Sequence, residues 1–370
     1  VPCNGLIYLP PNACRCYIEA QMHGFYAMAS EPLPIQDDTI EPATDRLEGG
    51  PAFGSGPGPD ARSEDWSSYR SDARRSGSTT TRIPRDLTQA WRVKYDDQVS
   101  PPIFVRDRVY LAAGESHSVV CLHAADGTLQ WRFTAGGRID TPPTYYKGTL
   151  LFGAADGWLY AIDSSDGKLR WRFSCAPLDR RIGAFGRLES VWRAHGSVLI
   201  QDDVAYLAAG RSSLVDAGIY VYALDPLSGE LLHKTHIVDS PEAGGDGNIG
   251  TAYTMPGVQS DVLVSDGTHI CMRQAKFDAA LQRQEDTFIR TEHIGYVRKV
   301  GLRLYASSGF TDGAMNNRAY WLMGANYGNL LAFDDTATYG VKMYRKRNPP
   351  QSRKLFSLQF TPASDGYMLY

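Results

Sequence analysis

A ten-residue segment occurs twice in this chain, forty residues apart, and that period constrains the fold more than any other feature. The first copy runs from Ala124 to Phe133 and the second from Ser164 to Phe173. A fixed period of this length is typical of repeated supersecondary units that cannot bury their apolar faces alone. We therefore expect several similar units packed side by side.

The residues around the second copy predict that each unit is a small antiparallel sheet. Apolar or alternating runs at 148–153, 158–163 and 168–173 are separated by Asp-Gly turns, which are a strong hairpin signal. The run at 141–146 supplies a fourth strand. Repeated four-stranded antiparallel sheets predict an all-β fold, a β-propeller of about seven or eight blades when complete. No run shows a sustained helical period, which disfavours an α/β fold.

The second repeat resembles the tryptophan-docking motif of pyrroloquinoline quinone (PQQ) propellers, whose usual form is Ala-x-Asp-x-x-Thr-Gly-x-x-x-Trp. Ala161, Asp163, Gly167 and Trp171 hold the motif positions, and Asp166 replaces the usual Thr. Weaker copies begin at Cys121, Ala223 and Ala332. The segment 66–77 also resembles the stretch that commonly opens such propellers. The chain is similar to a bacterial group of PQQ-like propellers related to quinoprotein dehydrogenases and to the outer-membrane assembly lipoprotein.

The resemblance implies structural roles for the residues of the repeat. In the docking motif an indole lies over the Gly of the next blade while its N–H meets a backbone acceptor. Asp holds the turn through its side chain, and Gly supplies the positive φ. We therefore expect docking roles for Asp126, Gly127, Trp131, Asp163, Gly167, Trp171, Asp225 and Gly229.

Composition divides the chain into three parts. Residues 1–30 resemble a partial blade, residues 31–65 form a Pro- and Gly-rich loop or linker, and residues 66–370 hold the propeller blades. An insertion at 176–195 lengthens the repeat between two blades. The chain starts without Met and stops on a strand-like run. We expect either a fragment of a longer protein or two ends that complete one shared blade.

The insertion is the best candidate for a binding site. It concentrates Arg, Trp and carboxylate groups in a loop, and loops on a rigid scaffold often carry binding residues. The competing interpretation is that Arg–carboxylate pairs only fix the loop to its neighbours. The candidate binding residues are Arg180, Arg181, Arg187, Glu189, Trp192 and His195 in the insertion, with Arg211 and Arg318 elsewhere.

Cofactor chemistry is poorly supported by the residues. Quinoprotein dehydrogenases hold PQQ under a disulfide between adjacent cysteines, with Ca²⁺ on Glu, Asn and Asp, whereas this chain has no Cys-Cys pair and no calcium loop. We therefore predict no metal and no cofactor, with PQQ and Ca²⁺ as the alternative. Cys3 could pair with Cys14 or Cys16 in an exported protein. Cys121, Cys175 and Cys271 are expected to be thiols.

Charge and hydropathy restrict the class of partner. The formal net charge is −3 and the isoelectric point about 6.3, so nothing indicates a nucleic-acid interface. No apolar stretch is long enough to span a bilayer. The family resemblance implies a non-catalytic, monomeric, periplasmic or secreted scaffold that binds a protein or a glycan at the ring face. The alternatives are a PQQ-dependent oxidoreductase with its cofactor in the central funnel, and a hydrolase or lyase, for which no acid/base pair stands out.

Overall fold

Every regular element in the described part of the chain is a β-strand. The computed structural model describes residues 1–11, 22, 24–29, 46–184, 186–239, 257–273, 275–284, 289–290, 297–299, 303–306, 321–323, 326–328, 330–343 and 367–369. The strands are β1 (Pro2–Cys3), β2 (Leu6–Leu9), β3 (Tyr26–Met28), β4 (Leu47–Gly49), β5 (Ile103–Val105), β6 (Arg108–Ala113), β7 (Ser118–His123), β8 (Leu129–Thr134), β9 (Thr144–Tyr146), β10 (Thr149–Gly153), β11 (Trp158–Asp163), β12 (Leu169–Ser174), β13 (Arg181–Ala184), β14 (Arg187–Ser190), β15 (Ala194–Gln201), β16 (Val204–Ala209), β17 (Ile219–Leu224), β18 (Leu231–Ile237), β19 (Val264–Ser265), β20 (Ile270–Met272), β21 (Ala275–Phe277), β22 (Arg283–Gln284), β23 (Ile289–Arg290), β24 (Val297–Lys299), β25 (Tyr305–Ala306), β26 (Trp321–Met323), β27 (Asn326–Gly328), β28 (Leu330–Phe333), β29 (Thr338–Met343) and β30 (Tyr367–Leu369).

Four consecutive antiparallel sheets form the central part of the molecule. Sheet I is β5–β8, sheet II is β9–β12 with β4 added at its outer edge, sheet III is β15–β18, and sheet IV is β19–β22. Smaller antiparallel sheets are β1–β3, β13–β14, β23–β24, β25–β27 and β28–β30. Within each of the four sheets the strands pair in sequence order, as in a meander.

Sheets I, II and III share one local irregularity. The register between the third and fourth strands shifts after Cys121, Ala161 and Ala223, which marks a β-bulge. A turn follows in which the glycine N–H donates to the carbonyl four residues earlier, at 2.9 Å in all three sheets. Those glycines, Gly127, Gly167 and Gly229, have φ between 74° and 77°. The repeated motif therefore encodes one bulge and one turn per sheet.

The hydrophobic core lies between consecutive sheets rather than at a single centre. One cluster joins sheets I and II around Phe152, a second joins sheets II and III around Trp171 and Tyr222, and a third joins sheets III and IV around Phe277. Sheets II and III are thus buried on both faces by their neighbours, which is the packing of a propeller. The prediction of an all-β propeller with antiparallel blades is confirmed.

Residues 66–77, called here the hub segment, run along the inner strands of the sheets. The segment bonds to sheets I, II and IV and to β28 through four backbone pairs, Trp66 with Phe104, Ser67 with Tyr145, Ala73 with Ser265, and Ser76 with Phe333. Because the inner strands surround the propeller axis, this segment ties together sheets that lie far apart in sequence.

Arg75 is the most deeply placed side chain of the hub segment, at 1% exposure. Its guanidinium donates to the carbonyls of Ser197 at 2.9 Å, Tyr69 at 3.0 Å and Leu263 at 3.2 Å. Burial lowers the pKa of Arg75 to about 10, so it stays charged at neutral pH. The side chain therefore holds the inner strand of sheet III against the hub.

The Pro- and Gly-rich stretch does not behave throughout as the solvated loop that its composition predicts. Within it, β4 pairs antiparallel with β12, so that Leu47 lies opposite Phe173 and Gly49 opposite Trp171. Arg46 is buried and donates to the Tyr222 hydroxyl at 3.0 Å. The backbone bonds of a sheet edge fix this stretch, although it contains few apolar residues.

The N-terminal part forms its own three-stranded sheet, β1–β3. It meets the insertion through a bridge between Phe25 and Gly183. Cys3 is exposed, and Cys14 and Cys16 lie outside the described residues, so a disulfide from Cys3 stays a prediction. The thiols predicted in the blades, Cys121, Cys175 and Cys271, are buried.

Candidate binding face

Three indoles lie against the glycine turn of the following repeat. The pairs are Trp91 with Gly127, Trp131 with Gly167, and Trp171 with Gly229, and a Cβ added to those glycines would lie 2.6, 2.7 and 2.8 Å from the respective ring. The indole N–H groups donate to the carbonyls of Ala124 at 2.8 Å, Ser164 at 3.2 Å and Leu227 at 2.9 Å. These positions therefore exclude any side chain larger than hydrogen at the turn.

The sequence also contains a signal for Trp91 that the motif comparison misses. Trp91 precedes Trp131 by the same forty residues that separate Trp131 from Trp171, and Arg follows all three. The residues upstream of Trp91 lack the Asp and Gly of the motif, so a search by turn residues passes over it. The period alone would have found it.

The motif aspartates hold the turns by accepting hydrogen bonds. Asp163 accepts from the Ser165 N–H at 2.8 Å and from Arg170 at 2.6 Å. The other two turns use the same chemistry: Asp126 accepts from Thr128 at 2.9 Å, and Asp225 accepts from Leu227 at 2.9 Å and Ser228 at 2.7 Å. An aspartate oxygen therefore caps the turn in each of these three repeats.

The insertion folds as a two-stranded hairpin, called here the insertion hairpin, made of β13 and β14. Arg181 pairs with Ser190 and Ala184 with Arg187. The chain then passes through Trp192 into β15, the inner strand of sheet III. The hairpin thus stands on the propeller face that carries the connections between consecutive sheets.

A buried charged network, called here the base network, fixes the foot of this hairpin. Glu189 is 2% exposed and lies 2.9 Å from Arg211 and 3.2 Å from Arg138. Arg193 contacts Asp140 and lies 3.7 Å from Glu189. Three guanidinium groups and two carboxylates are therefore enclosed together, and loss of one partner would leave a charge buried without compensation.

The candidate binding residues divide into interior and surface groups. Glu189, Trp192, His195 and Arg211 are all buried, with exposures of 3% or less. His195 Nε2 lies 2.6 Å from the Gly210 carbonyl. These four side chains hold the hairpin and face away from solvent.

The surface group lies on the hairpin and the residues that lead into it. The side chain of Arg181 is 61% exposed, Leu188 is 73% exposed and Leu178 is 43% exposed. Arg180 is half-buried, and Arg318 lies outside the described residues. Sequence reasoning missed Leu178 and Leu188 because single exposed leucines cannot be told from core residues by pattern.

Arg187 connects the hairpin to sheet I. Its guanidinium pairs with the Glu115 carboxylate and lies 2.7 Å from His117 Nε2. Partial burial, and then the positive charge of Arg187, lower the pKa of His117. The hairpin therefore spans from sheet III to the turn between β6 and β7.

The described residues around the axis do not offer the donor set that PQQ and Ca²⁺ would need. The hub segment and the Arg75 guanidinium bond to carbonyls and N–H groups of the inner strands, which line the funnel. Among the described residues, no group of three His, Cys, Asp or Glu side chains is arranged to hold a metal. The cysteines at 121, 175 and 271 lie in separate strands or turns and cannot form a disulfide between adjacent residues. No step of the proposed function uses this cofactor.

No helix in the described ranges is long and apolar enough to cross a membrane. No curated protein sequence matches the chain.

Solved structures similar to it include quinohemoprotein alcohol dehydrogenases from Pseudomonas putida and Comamonas testosteroni. They are 20% and 18% identical to this chain, with TM-scores of 0.41 and 0.39. These matches cover 47% and 48% of this chain but only 27% and 28% of the dehydrogenases.

BamB from Moraxella catarrhalis is also similar, at 18% identity and a TM-score of 0.30, with 55% of this chain and 67% of BamB covered. A stronger statement comes from sequence. A family model described as "Outer membrane protein assembly factor BamB" matches residues 82–290, more than half of the chain. That range includes the three docked indoles, the base network and the insertion hairpin. The chain therefore belongs to this family of PQQ-repeat β-propellers.

Proposed function

We propose that this chain is a non-catalytic PQQ-repeat propeller that binds a protein partner through the insertion hairpin. The observation that carries the proposal is the division within the insertion. The foot of the hairpin is enclosed by the base network, while Arg181, Leu178 and Leu188 project into solvent. Exposed apolar and guanidinium side chains on a firmly held hairpin are typical of a protein-binding surface.

The base network supports binding rather than catalysis. Both carboxylates are paired with guanidinium groups, and that of Glu189 is also shielded from solvent, so they are poorly placed to exchange protons with a substrate. These ion pairs instead hold the insertion hairpin in one position. A partner would therefore meet a preformed surface and lose little of its binding free energy in ordering it.

The family description favours a partner that is itself a protein, in the cell envelope. We infer a periplasmic or secreted location on the same ground, and we propose that the chain is a monomer. A glycan partner at this face is less well supported, since the exposed groups of the hairpin are aliphatic and cationic rather than aromatic. The alternative, a quinone-dependent oxidoreductase, would require ligands for the quinone and Ca²⁺ that the described residues around the axis do not supply.

The test is affinity capture from a cell-envelope extract followed by binding of the purified candidate partner. The variant Arg181→Glu/Leu188→Asp changes only exposed side chains, and we expect it to weaken binding at least about ten-fold, as for loss of an interface hot spot. The matched control is Arg132→Glu/Leu129→Asp on the outer strand of sheet I, where Leu129 is 54% exposed. Unchanged binding by the hairpin variant, or equal loss in the control, would reject the site.

A further inference from the structure

A cleft lies beside the hub segment. It has a volume of about 380 Å³ and is lined by the hub segment, by residues 60–61 and by the ends of two inner strands, at 144–147 and Ile200. The base network adjoins the starts of those same strands, at Asp140 and Arg193. This cleft, called here the hub cleft, is therefore separate from the proposed protein-binding surface.

The volume of the hub cleft is at the lower end of ligand pockets, which span roughly 300–1,000 Å³. Its lining is rich in oxygen atoms from Ser67, Ser71, Asp60 and Asp72. Tyr145 and Tyr146 add aromatic carbon. The cleft thus suits a small ligand that makes many hydrogen bonds and offers some apolar surface.

The charges around the cleft are largely compensated, which restricts the ligand further. Lys147 Nζ lies 3.3 Å from Asp203 and 4.9 Å from the Tyr146 ring centroid. The guanidinium of Arg75 is bonded to backbone carbonyls, and Asp72 accepts from Ser76 at 2.6 Å. An anion would find no uncommitted cation here.

Three polar groups of the cleft have no partner among the described residues. They are the carboxylate of Asp60 and the hydroxyls of Ser67 and Ser71, which form no hydrogen bond or ion pair there. Two hydroxyls can both donate and accept, and the carboxylate accepts. Hydroxyl groups of a ligand could bond to all three.

The backbone around Ser71 adds an independent sign of function. Arg70 and Ser71 are consecutive non-glycine residues with φ of 56° and 78°. Such conformations cost free energy and persist where neighbouring contacts hold them, often at ligand sites. The hydrogen bond from Ser68 Oγ to the Ser71 carbonyl, at 3.1 Å, is one such contact. The strained pair places Ser71 at the wall of the cleft.

We propose that the hub cleft binds a neutral sugar residue. The free oxygens supply the hydrogen-bonding groups that sugar hydroxyls need, the tyrosines supply carbon surface, and the committed cations disfavour a phosphate or carboxylate ligand. The carboxylate of Asp60 would also attract a cationic sugar, which is therefore a separate arm of the test. The site would make this propeller a protein that holds a sugar on one face while its hairpin engages a protein on the other.

The experiment is saturation-transfer difference NMR of the full chain with glucose, galactose, mannose and N-acetylglucosamine, and with glucose 6-phosphate and glucosamine as charged arms. We expect transfer to at least one neutral sugar, and an affinity about ten-fold lower in Asp60→Ala/Ser67→Ala, since hydrogen bonds to a charged and a neutral group are lost. Asp86→Ala/Ser63→Ala is the matched control at residues that do not line the cleft.

Thermal unfolding of every variant shows whether the fold is kept. If the double variant is unstable, the single variant Asp60→Ala, at an exposed position, replaces it in the binding experiment. The proposal is overturned if no neutral sugar receives saturation, if only a charged sugar does, or if the double variant binds as the wild type does. The hairpin variant Arg181→Glu/Leu188→Asp must still bind sugar. Failure of the hub cleft and failure of the proposed hairpin interface are therefore distinguishable.

Discussion

Two copies of the same motif place their tryptophans in different surroundings. Trp131 docks on Gly167 and remains partly exposed, whereas Trp171 docks on Gly229 and is wholly buried, with 0% exposure. The difference comes from β4, because the outer edge of sheet II is covered by a fifth strand and that of sheet I has no such cover in the described residues. The motif therefore determines that the indole contacts the glycine turn. The covering strand determines how deeply the indole is buried, and hence how much the contact stabilises the fold.

The largest expected effect is that of Trp171→Ala. Removal of a fully buried indole from between sheets II and III should lower the free energy of unfolding by about 3–5 kcal/mol. Urea unfolding followed by circular dichroism measures the loss. A decrease below that of Trp131→Ala would contradict the role assigned to the fifth strand.

Gly229→Ala comes next. The glycine has φ of 77°, and a Cβ there would lie 2.6 Å from Leu47 and 2.8 Å from the Trp171 ring. Left-handed strain of about 1–2 kcal/mol and overpacking of about 1–3 kcal/mol give an expected loss of about 2–5 kcal/mol.

Gly54→Ala separates the two causes. That glycine has φ of 76° with nothing within 4 Å of an added Cβ, so only the backbone strain applies. Denaturant midpoints compare the variants. If Gly229→Ala and Gly54→Ala lower the free energy of unfolding equally, then Trp171 moves aside without destabilising the fold.

Trp131→Ala should have a smaller effect, about 2 kcal/mol, because part of this ring is already in water. The same unfolding measurement applies, with Trp91→Ala as the comparison at the preceding repeat, where the indole is also partly exposed. Loss of cooperativity in Trp131→Ala, instead of a simple shift of the midpoint, would indicate that sheets I and II separate independently.

Leu47→Ala tests the covering strand itself, with an expected loss of about 1 kcal/mol for a half-exposed side chain. The stronger test is a double-mutant cycle. Leu47→Ala should couple to Trp171→Ala, which shares its contact at Gly229, and should be additive with Trp131→Ala. Additivity in both cycles would mean that β4 acts only through its backbone.

The smallest effect concerns pH. At the turn, sheet II carries Asp163 where sheet I carries His123. Burial opposes ionisation of Asp163, but hydrogen bonds from Ser165 and Arg170 outweigh it and hold its pKa below the ordinary value. The stabilisation is therefore present above the unfolded pKa of about 3.9 and is lost as pH falls through the lower folded value. When the unfolding midpoint is measured against pH, Asp163→Asn should reduce its decrease at acidic pH. An unchanged slope in that range would contradict this.

The sequence predicts the sheets well because each depends on local signals. The Asp-Gly turns and the alternation in 148–173 determine sheet II almost without reference to other parts of the chain. The base network could not be predicted, because Arg138, Glu189 and Arg211 come from three separate connections and meet only after the sheets pack. The pairing of β4 with β12 could not be predicted for a similar reason, because Leu47 lies more than a hundred residues before its partner strand.

The hub segment has a consequence for the order in which the molecule can assemble during synthesis. Residues 66–77 leave the ribosome before any of the strands they bond to, and these partners extend as far as Phe333. Its contacts with sheets I and II can form early, but its contact with β28 forms only when translation is far advanced, and contacts of such long sequence separation form slowly. Until that last contact forms, the ring of sheets is incomplete, and incompletely assembled repeat proteins are prone to misassembly.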